Sequence, residues 1–247
     1  MTAPLSSPPA AGRASDAPRW ALARRTLRPA YAFYYRALYS RQFPGKQTLD
    51  GLVLALETRI ARGDTPTDKA VWEQKYRAGD WAFMHDLHQV PRYAAIASLA
   101  HRLRPGGAIL DVGCGEGVLQ DHLRPLGYSR YLGVDLSETA VAQAAAAGRV
   151  DDNSSFTAAD AEHYVPDGLF DVIVFNECIH YFRDAATSVS AYERFLAPGG
   201  VFIFSTFRTP RGDAIMRDVL KQHEVLEELA ISHRNGTSRL WLLLPTR

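Results

Sequence analysis

The sequence of 247 residues predicts an α/β fold. We expect a doubly wound, mostly parallel sheet of seven strands that ends in a C-terminal antiparallel hairpin, with an N-terminal helical extension. From Pro91 onward, short apolar runs alternate with helical stretches, which is typical of a parallel sheet. Further along, the turn "RNGTS" joins two apolar runs, and such a turn indicates an antiparallel hairpin at the sheet edge.

The composition argues against several classes of partner. A net charge of +1 gives no general electrostatic attraction to nucleic acid or to a membrane surface. No apolar run approaches the ~20 residues of a membrane span. The two cysteines, Cys114 and Cys178, lie in apolar stretches, so we expect free thiols in a reducing cytoplasm rather than a disulfide or a metal site.

The first 18 residues predict a disordered tail, because this Ser/Pro/Ala-rich stretch carries too little apolar surface to order itself. Six arginines among residues 1–40 also give a weak resemblance to a transit peptide. The composition favours the tail over an organelle signal.

Residues 19–65 predict a helical lid or an interaction arm, since two apolar faces recur there at helical spacing and each must pack against something. The first face comprises Leu27, Tyr31, Tyr34, Tyr35 and Leu38, and the second comprises Leu49, Leu52, Val53, Leu56 and Ile60. A lid, formed by residues 20–65, would close over the edge of the sheet and exclude water. An arm would make a homodimer or carrier-protein contact through Arg24, Arg25, Arg28, Arg36 and Arg41.

Residues 66–247 form the third predicted unit. Thr65, Pro66 and Asp68 supply a helix cap, a first-turn proline and a capping acid, so a helix is expected to begin there. The elements that follow, in chain order, are a helix over "RYAAIASLAHRL", a strand "AILDVG", a helix from about Val118, a strand "YLGVD", a helix capped by Ser137, strands "SSFTAAD" and "FDVIVFNE", a helix over "AATSVSAYERFL", a strand "GGVFIFST", a helix over "DAIMRDVLKQHE", and the hairpin strands "VLEELAISH" and "RLWLLLP".

The segment "ILDVGCGEG" places Gly113, Gly115 and Gly117 at alternate positions directly after a strand. A dinucleotide turn needs its third glycine one residue later, and a phosphate loop needs a lysine that is absent here. Asp111 would also repel a phosphate held at the following helix. A cationic ligand without phosphate fits better, and S-adenosylmethionine carries an ammonium and a sulfonium.

Two further acids follow the next two predicted strands. Asp135 ends the strand "YLGVD", where a carboxylate can accept hydrogen bonds from the two hydroxyls of a ribose. Asp160 follows the third strand, where it can accept from an adenine amine while the backbone of Ala161 pairs with the ring. The ordered set of three acids at successive strand ends predicts an S-adenosylmethionine site.

These motifs resemble the class I S-adenosylmethionine-dependent methyltransferases of the small-molecule type, over about residues 70–247. The resemblance rests on "ILDVGCGEG", "YLGVDLSETAVAQA", "TAADAEHY", "FDVIVFNECIHYF" and "FLAPGGVFIFST". It implies the Rossmann-like methyltransferase fold and a cofactor pocket formed by Asp111, Gly113, Gly115, Asp135, Leu136, Asp160, Ala161 and Asn176. Cys114 and Gly117 belong to the same glycine turn and complete it.

The segment "NECIHYF" follows the fourth strand and should face the reacting methyl group or its acceptor. Glu177, His180 and Tyr181 are therefore the candidate catalytic residues. His180 suits removal of a proton, although a structural role is equally compatible with the sequence, and packing is the simpler role for Tyr181. His85 and His88 are second choices for a base, and two histidines without a third ligand do not form a metal site.

Aromatic residues upstream of the glycine turn are candidates for closing over the cofactor. Tyr76 and Trp81 present ring faces that attract a sulfonium. Trp72 is a further candidate, although packing within an amphipathic helix accounts for this residue equally well. Arg92 can pair with the methionine carboxylate.

The expected reaction is in-line methyl transfer to a small organic acceptor, with the accepting atom (N, O, C or S) left open. Asn176–Ile179 lacks the [DN]-P-P-[YF] pattern of nucleic-acid amine methylases, and no proline precedes Cys178 as in cytosine C5 enzymes. The sequence also lacks the cluster of acidic residues that is typical of a magnesium-dependent enzyme. Two alternatives stay open: a cyclase or lyase that consumes S-adenosylmethionine without methyl transfer, and a non-catalytic docking subunit that binds it.

Overall fold

The computed structural model describes residues 30, 33, 34, 38, 43–61, 68–233 and 236–245. The predicted tail over residues 1–18 lies outside the described residues, as do Thr65 and most of the first helix expected in the N-terminal extension. The hairpin turn residues Arg234 and Asn235 lie outside them as well.

A seven-stranded sheet in the order β3-β2-β1-β4-β5-β7-β6 forms the centre of the molecule. Its strands are β1 (Gly106–Val112), β2 (Tyr128–Asp135), β3 (Ser154–Ala158), β4 (Phe170–Asn176), β5 (Leu196–Phe207), β6 (His223–His233) and β7 (Gly236–Pro245). The first five strands are parallel, and β7 runs antiparallel between β5 and β6. The predicted doubly wound sheet and its C-terminal hairpin are confirmed.

Seven α-helices accompany the sheet among the described residues: α1 (Lys46–Ala61), α2 (Lys69–Ala78), α3 (Val90–Leu103), α4 (Val118–Leu123), α5 (Glu138–Ala146), α6 (Ala185–Tyr192) and α7 (Pro210–Leu220). Short side chains set several helix starts: Ser137 Oγ accepts from Ala140 N at 3.2 Å, as the sequence predicted. The expected start of α2 at Thr65 was wrong, because the extended residue Asp68 caps this helix and accepts from Ala70 N at 2.9 Å.

Two hydrophobic cores fill the space between the sheet and its helices. On one face, α3 and α4 pack against the sheet, and this core includes Tyr93, Ile96, Leu119, Val174 and Ile203. On the other face, α6 and α7 contribute to a core that includes Phe175, Val189, Phe204, Met216 and Trp241. Because both faces are covered, the carboxyl ends of the parallel strands form the accessible edge where a ligand can bind.

The described part of the N-terminal extension lies against the second of these helical layers. Helix α1 packs against α7, the helix that follows the carboxyl end of β5. Tyr34 and Lys46 both hydrogen-bond to Asp50 and so brace the start of α1. None of the described helices is both long and apolar enough to cross a membrane.

Candidate active site

A cavity of about 430 Å³ opens at the carboxyl ends of the parallel strands. It unites most of the predicted site residues: Tyr76, Trp81, Arg92, Gly113, Asp135, Leu136, Asp160, Ala161, Asn176, Glu177, His180 and Tyr181 all line it. Four predicted cofactor residues, Asp111, Cys114, Gly115 and Gly117, are not on its wall. The polar residues at the strand ends therefore share one concave site, as their order along the chain predicted.

The glycine turn is tied to β2 by backbone hydrogen bonds. Gly113 N and Cys114 N both donate to Val134 O, at 2.8 and 3.1 Å. Gly113 has a φ of 69°, and a Cβ at this position would lie 2.5 Å from Cys178 Cβ. Only glycine tolerates both the positive φ and the close approach of Cys178, so backbone atoms without a side chain line the cavity at this position.

The other turn residues shape this wall from behind. Gly117 also has a positive φ, and a Cβ there would lie 2.6 Å from the ring of Phe156. Cys114 is buried beside Gly133. These contacts explain why both residues support the turn without lining the cavity.

Asp111 lies beneath the turn and is 1% exposed. Its Oδ2 accepts a hydrogen bond from Tyr131 Oη at 2.6 Å. Its Oδ1 is buried and has no hydrogen-bond partner among the described residues. Burial raises the pKa of this carboxyl to about 7.

Asp135 joins the turn to the start of α5. Its Oδ2 accepts from Gly115 N at 2.8 Å and its Oδ1 accepts from Ser137 N at 2.9 Å. Burial raises the pKa of Asp135 to about 6, while these two backbone donors favour the charged form. The carboxylate is thus fixed in place with lone pairs left for further donors.

Asp160 and Ala161 lie beyond β3 at the same edge of the sheet. The carboxylate of Asp160 accepts from Glu162 N at 3.0 Å and is within 2.9 Å of His163 Nδ1. Tyr192 Oη donates to Ala161 O at 2.8 Å, which anchors the loop against α6. The loop therefore holds a backbone and a carboxylate oxygen side by side on the cavity wall.

Four aromatic residues, which we call the aromatic wall, line the cavity together: Trp72, Tyr76, Trp81 and Tyr181. The Tyr76 hydroxyl reaches the glycine turn, where a Cβ on Gly115 would lie 2.9 Å from it. Trp72 stacks on Trp81 with ring centroids 5.5 Å apart and meets Tyr181 edge to face at 4.7 Å. Trp72 thus takes part in the site in addition to packing on its helix.

Glu73 fixes helix α2, which carries Trp72 and Tyr76 of this wall. Its carboxylate accepts hydrogen bonds from Glu138 N at 2.6 Å and from Thr139 N at 3.2 Å, at the first turn of α5. The hydrogen bond from the Thr139 hydroxyl also lowers the pKa of Glu73. An anion at a helix N-terminus is favourable, so Glu73 ties α2 to the element that follows Asp135.

His180 and Tyr181 lie in a short 3₁₀ turn after β4, and their ring centroids are 4.1 Å apart. Burial, with a further contribution from the Arg211 cation, lowers the pKa of His180 to about 4. Burial raises the pKa of Tyr181 to about 12. Both side chains are therefore neutral near pH 7, and the neutral imidazole has a free nitrogen but is a weaker base than an exposed histidine.

Arg92 and Glu177 form an ion pair on the cavity wall, with Arg92 Nη1 lying 3.2 Å from Glu177 Oε1. Arg92 also donates from Nη2 to Gln89 Oε1 at 2.8 Å. A residue predicted to bind the cofactor and a residue predicted to act in catalysis are thus in direct contact.

Several cavity residues were missed by sequence reasoning: Phe83, Met84, Gln89, Glu162, Phe182, Arg183, Phe207 and Ser238. Phe207 ends β5, so the rule that ligands bind at the carboxyl ends of parallel strands could have found it. The others depend on loop paths that no local pattern reveals. Among the described residues there is no group of three or more side chains arranged to hold a metal ion.

Comparisons with known proteins agree with this geometry. A methyltransferase domain family matches residues 110–204. A probable S-adenosylmethionine-dependent methyltransferase of Mycolicibacterium smegmatis is 39% identical over 109 residues, which are 44% of this chain and 40% of that protein. A ubiquinone biosynthesis O-methyltransferase of Thiobacillus denitrificans is 36% identical over 105 residues, 41% of this chain and 44% of the relative. The chain spans less than half the length of these two relatives.

Among solved structures, the fold is similar to that of the 1,6-didemethyltoxoflavin-N1-methyltransferase of Burkholderia thailandensis, determined with 1,6-didemethyltoxoflavin and S-adenosylhomocysteine. The TM-score is 0.60 at 20% identity, and the match covers 72% of this chain and 87% of the other. The chain is thus similar in sequence to methyltransferases over part of its length, and it shares the fold of a methyltransferase determined with S-adenosylhomocysteine.

Proposed function

We propose that this protein transfers the methyl group of S-adenosylmethionine to a small organic acceptor by in-line displacement. The observation that carries the proposal is that most of the predicted cofactor residues line the same cavity as His180. A site of this kind needs to align the methyl group with the acceptor, exclude water and receive one proton.

The residues present suit S-adenosylmethionine. Asp135 is held with free lone pairs where the ribose hydroxyls would bind, and Asp160 with Ala161 would receive the adenine. The unpartnered Oδ1 of Asp111 and the glycine-only approach at Gly113 suit the methionine end. When bound, the cofactor supplies an activated methyl group.

The acceptor would lie beside the ends of β4, β5 and β7, where the cavity is bounded by Phe182, Phe207 and Ser238. Two cations on the cavity wall are paired with acids: Arg183 Nε lies 3.9 Å from Glu162, and Arg92 pairs with Glu177. Aromatic surface with compensated charges favours a small acceptor of mainly apolar character. One of the similar proteins is named an O-methyltransferase and another an N1-methyltransferase. Their names therefore do not indicate which atom of the acceptor this chain would methylate.

In this mechanism the aromatic wall excludes water, and its ring faces attract the sulfonium. His180, which burial keeps neutral, accepts the proton that the acceptor loses as its bond to the methyl group forms. The products are the methylated acceptor, S-adenosylhomocysteine and a protonated imidazole that returns its proton to water.

We also propose that residues 20–65 act as a lid over this edge. The contact between α1 and α7 supports the proposal, because α7 follows β5 and Arg211, within α7, donates from Nη2 to His180 O at 3.1 Å. A homodimer or carrier-protein contact is the competing role for the segment.

The experiment that tests the function is incubation with S-adenosylmethionine and a panel of metabolites, read by mass spectrometry. We expect S-adenosylhomocysteine to appear in equal amount with a product that has gained one methyl group. Release of methylthioadenosine without a methylated product would instead indicate a cyclase or lyase. Cofactor binding without turnover of any metabolite would indicate a docking subunit.

A further inference from the structure

Glu177 has an unusual backbone conformation. Its φ is 56°, and it is the one non-glycine residue with a positive φ in the part of the chain that the structure describes. A side chain in this left-handed region is strained, so surrounding contacts must hold it there. The residue follows β4 directly, between the two ends of the cavity.

Two donors engage the Glu177 carboxylate: Phe207 N donates to Oε2 at 2.7 Å, and Arg92 Nη1 lies 3.2 Å from Oε1. Ser205 Oγ lies 3.4 Å from Oε1, but its one hydroxyl proton is better placed for Asn176 Oδ1 at 2.7 Å. The backbone N–H of Glu177 also donates to Ser205 O at 3.0 Å. The carboxylate therefore joins the ends of β4 and β5 to the first turn of α3.

Both terminal nitrogens of the Arg92 guanidinium have protein partners, whereas its Nε has none among the described residues. Its side chain is 5% exposed, with Nη1 on Glu177, Nη2 on Gln89 and the guanidinium carbon 4.8 Å from the centre of the Tyr93 ring. Its buried Nε has no hydrogen-bond partner among the described residues, and Arg92 lines the cavity. A buried, unpaired N–H of a cation calls for an anionic acceptor.

We infer that Glu177 is a positioning residue: it orients the Arg92 guanidinium so that the Nε–H edge receives the carboxylate of the cofactor's methionine end. The inference rests on the proposed use of S-adenosylmethionine. It gives Glu177 a role other than proton transfer, since its carboxylate oxygens are engaged by protein donors. It also accounts for the left-handed backbone, because this conformation places the carboxylate between Arg92 and the end of β5.

The test compares two ligands that differ at the methionine end. S-adenosylhomocysteine carries the carboxylate, whereas methylthioadenosine lacks the amino-acid portion. In calorimetric titrations of the full chain, Glu177→Ala should weaken S-adenosylhomocysteine binding at least ~10-fold and change methylthioadenosine binding less than ~2-fold. Glu177→Gln keeps an oxygen that accepts from Arg92 and should restore most of the affinity.

The variant Arg92→Ala provides the second half of a double-mutant cycle. In that background Glu177→Ala should cause no further loss, because no guanidinium is left to orient. An equal loss for both ligands would overturn the inference in favour of a structural role. Tighter S-adenosylhomocysteine binding in Glu177→Ala would overturn it too, since Glu177 would then only neutralise Arg92. Failure of the unmodified protein to bind either ligand would count against the proposed function itself.

Discussion

The hydroxyl of Tyr131 donates to Asp111 at 2.6 Å and leaves the second carboxylate oxygen of Asp111 buried without a partner among the described residues. A buried carboxylate satisfied on one side only is costly when charged, and burial raises its pKa to about 7. Since Asp111 does not itself line the cavity, we propose that a water bridges its free oxygen to the ammonium of the cofactor. Cofactor binding and the ionisation of Asp111 should therefore be coupled.

The first prediction is that S-adenosylhomocysteine binds more tightly as the pH rises from 5.5 to about 7 and that the affinity levels off above this pH. Below the pKa of Asp111 the carboxyl is protonated in the free protein, and binding an ammonium must release that proton. Calorimetry in buffers of different ionisation enthalpy measures both the affinity and the proton release. Asp111→Asn should remove the part of the pH dependence centred near pH 7 and leave the part due to Asp135, whose pKa is raised to about 6. Equal affinity across the range for the unmodified protein would refute the coupling.

The second prediction concerns Asp135. Removing its carboxylate in Asp135→Ala should weaken cofactor binding by ~1–3 kcal/mol, because it deletes an acceptor for the ribose and frees Gly115 N and Ser137 N. Titration with S-adenosylhomocysteine measures the loss. Asp152→Ala, an exposed acid on the loop before β3, is the matched control and should bind normally.

The third prediction is that His180→Ala lowers turnover by ~10²–10⁴-fold while S-adenosylhomocysteine affinity stays within about twofold. Since burial lowers the pKa of His180 to about 4, the imidazole should not itself impose a rate change between pH 5 and 8. Initial rates across this range check both statements, and Tyr181→Phe serves as the control with a smaller effect. A nearly unchanged rate in His180→Ala would leave this histidine a packing role.

A fourth prediction tests the glycine turn. Gly113→Ala should destabilise the fold by about 2 kcal/mol or more, because its Cβ would meet Cys178 Cβ at 2.5 Å in addition to the positive φ. Gly148→Ala is a good control, since its φ of 72° is similar but its Cβ would meet nothing within 4 Å. Urea unfolding of both variants separates the clash from the backbone cost. Equal destabilisation would show that the contact with Cys178 contributes nothing.

The fifth prediction concerns the N-terminal extension. If residues 20–65 form a lid, deletion of residues 1–65 should leave S-adenosylhomocysteine binding intact and abolish methyl transfer at every protein concentration. Binding is measured by calorimetry and transfer by product mass spectrometry. Full-rate turnover by the shortened chain would rule out the lid and favour an interaction arm.

The sheet and the meeting of the strand-end acids at one edge could be predicted because they follow local rules. Alternation of apolar runs with helices specifies a parallel sheet, and parallel strands carry their terminal residues to one edge, so Asp135 and Asp160 both line the cavity. The docking of Glu73 on α5 and the pairing of Arg92 with Glu177 had no such signal. These contacts join residues far apart in the chain and depend on loop paths and rotamers that no periodicity encodes.

The position of β7 between β5 and β6 bears on how the protein is made. Phe202–Phe207 of β5 pair with Ser238–Leu243, so β5 has no neighbour on that side while the ribosome still holds β7. During that interval its backbone can accept a strand from another nascent copy. Chaperone protection should matter most at this stage of synthesis, and a stop codon before Gly236 should yield an aggregating chain despite an intact glycine turn.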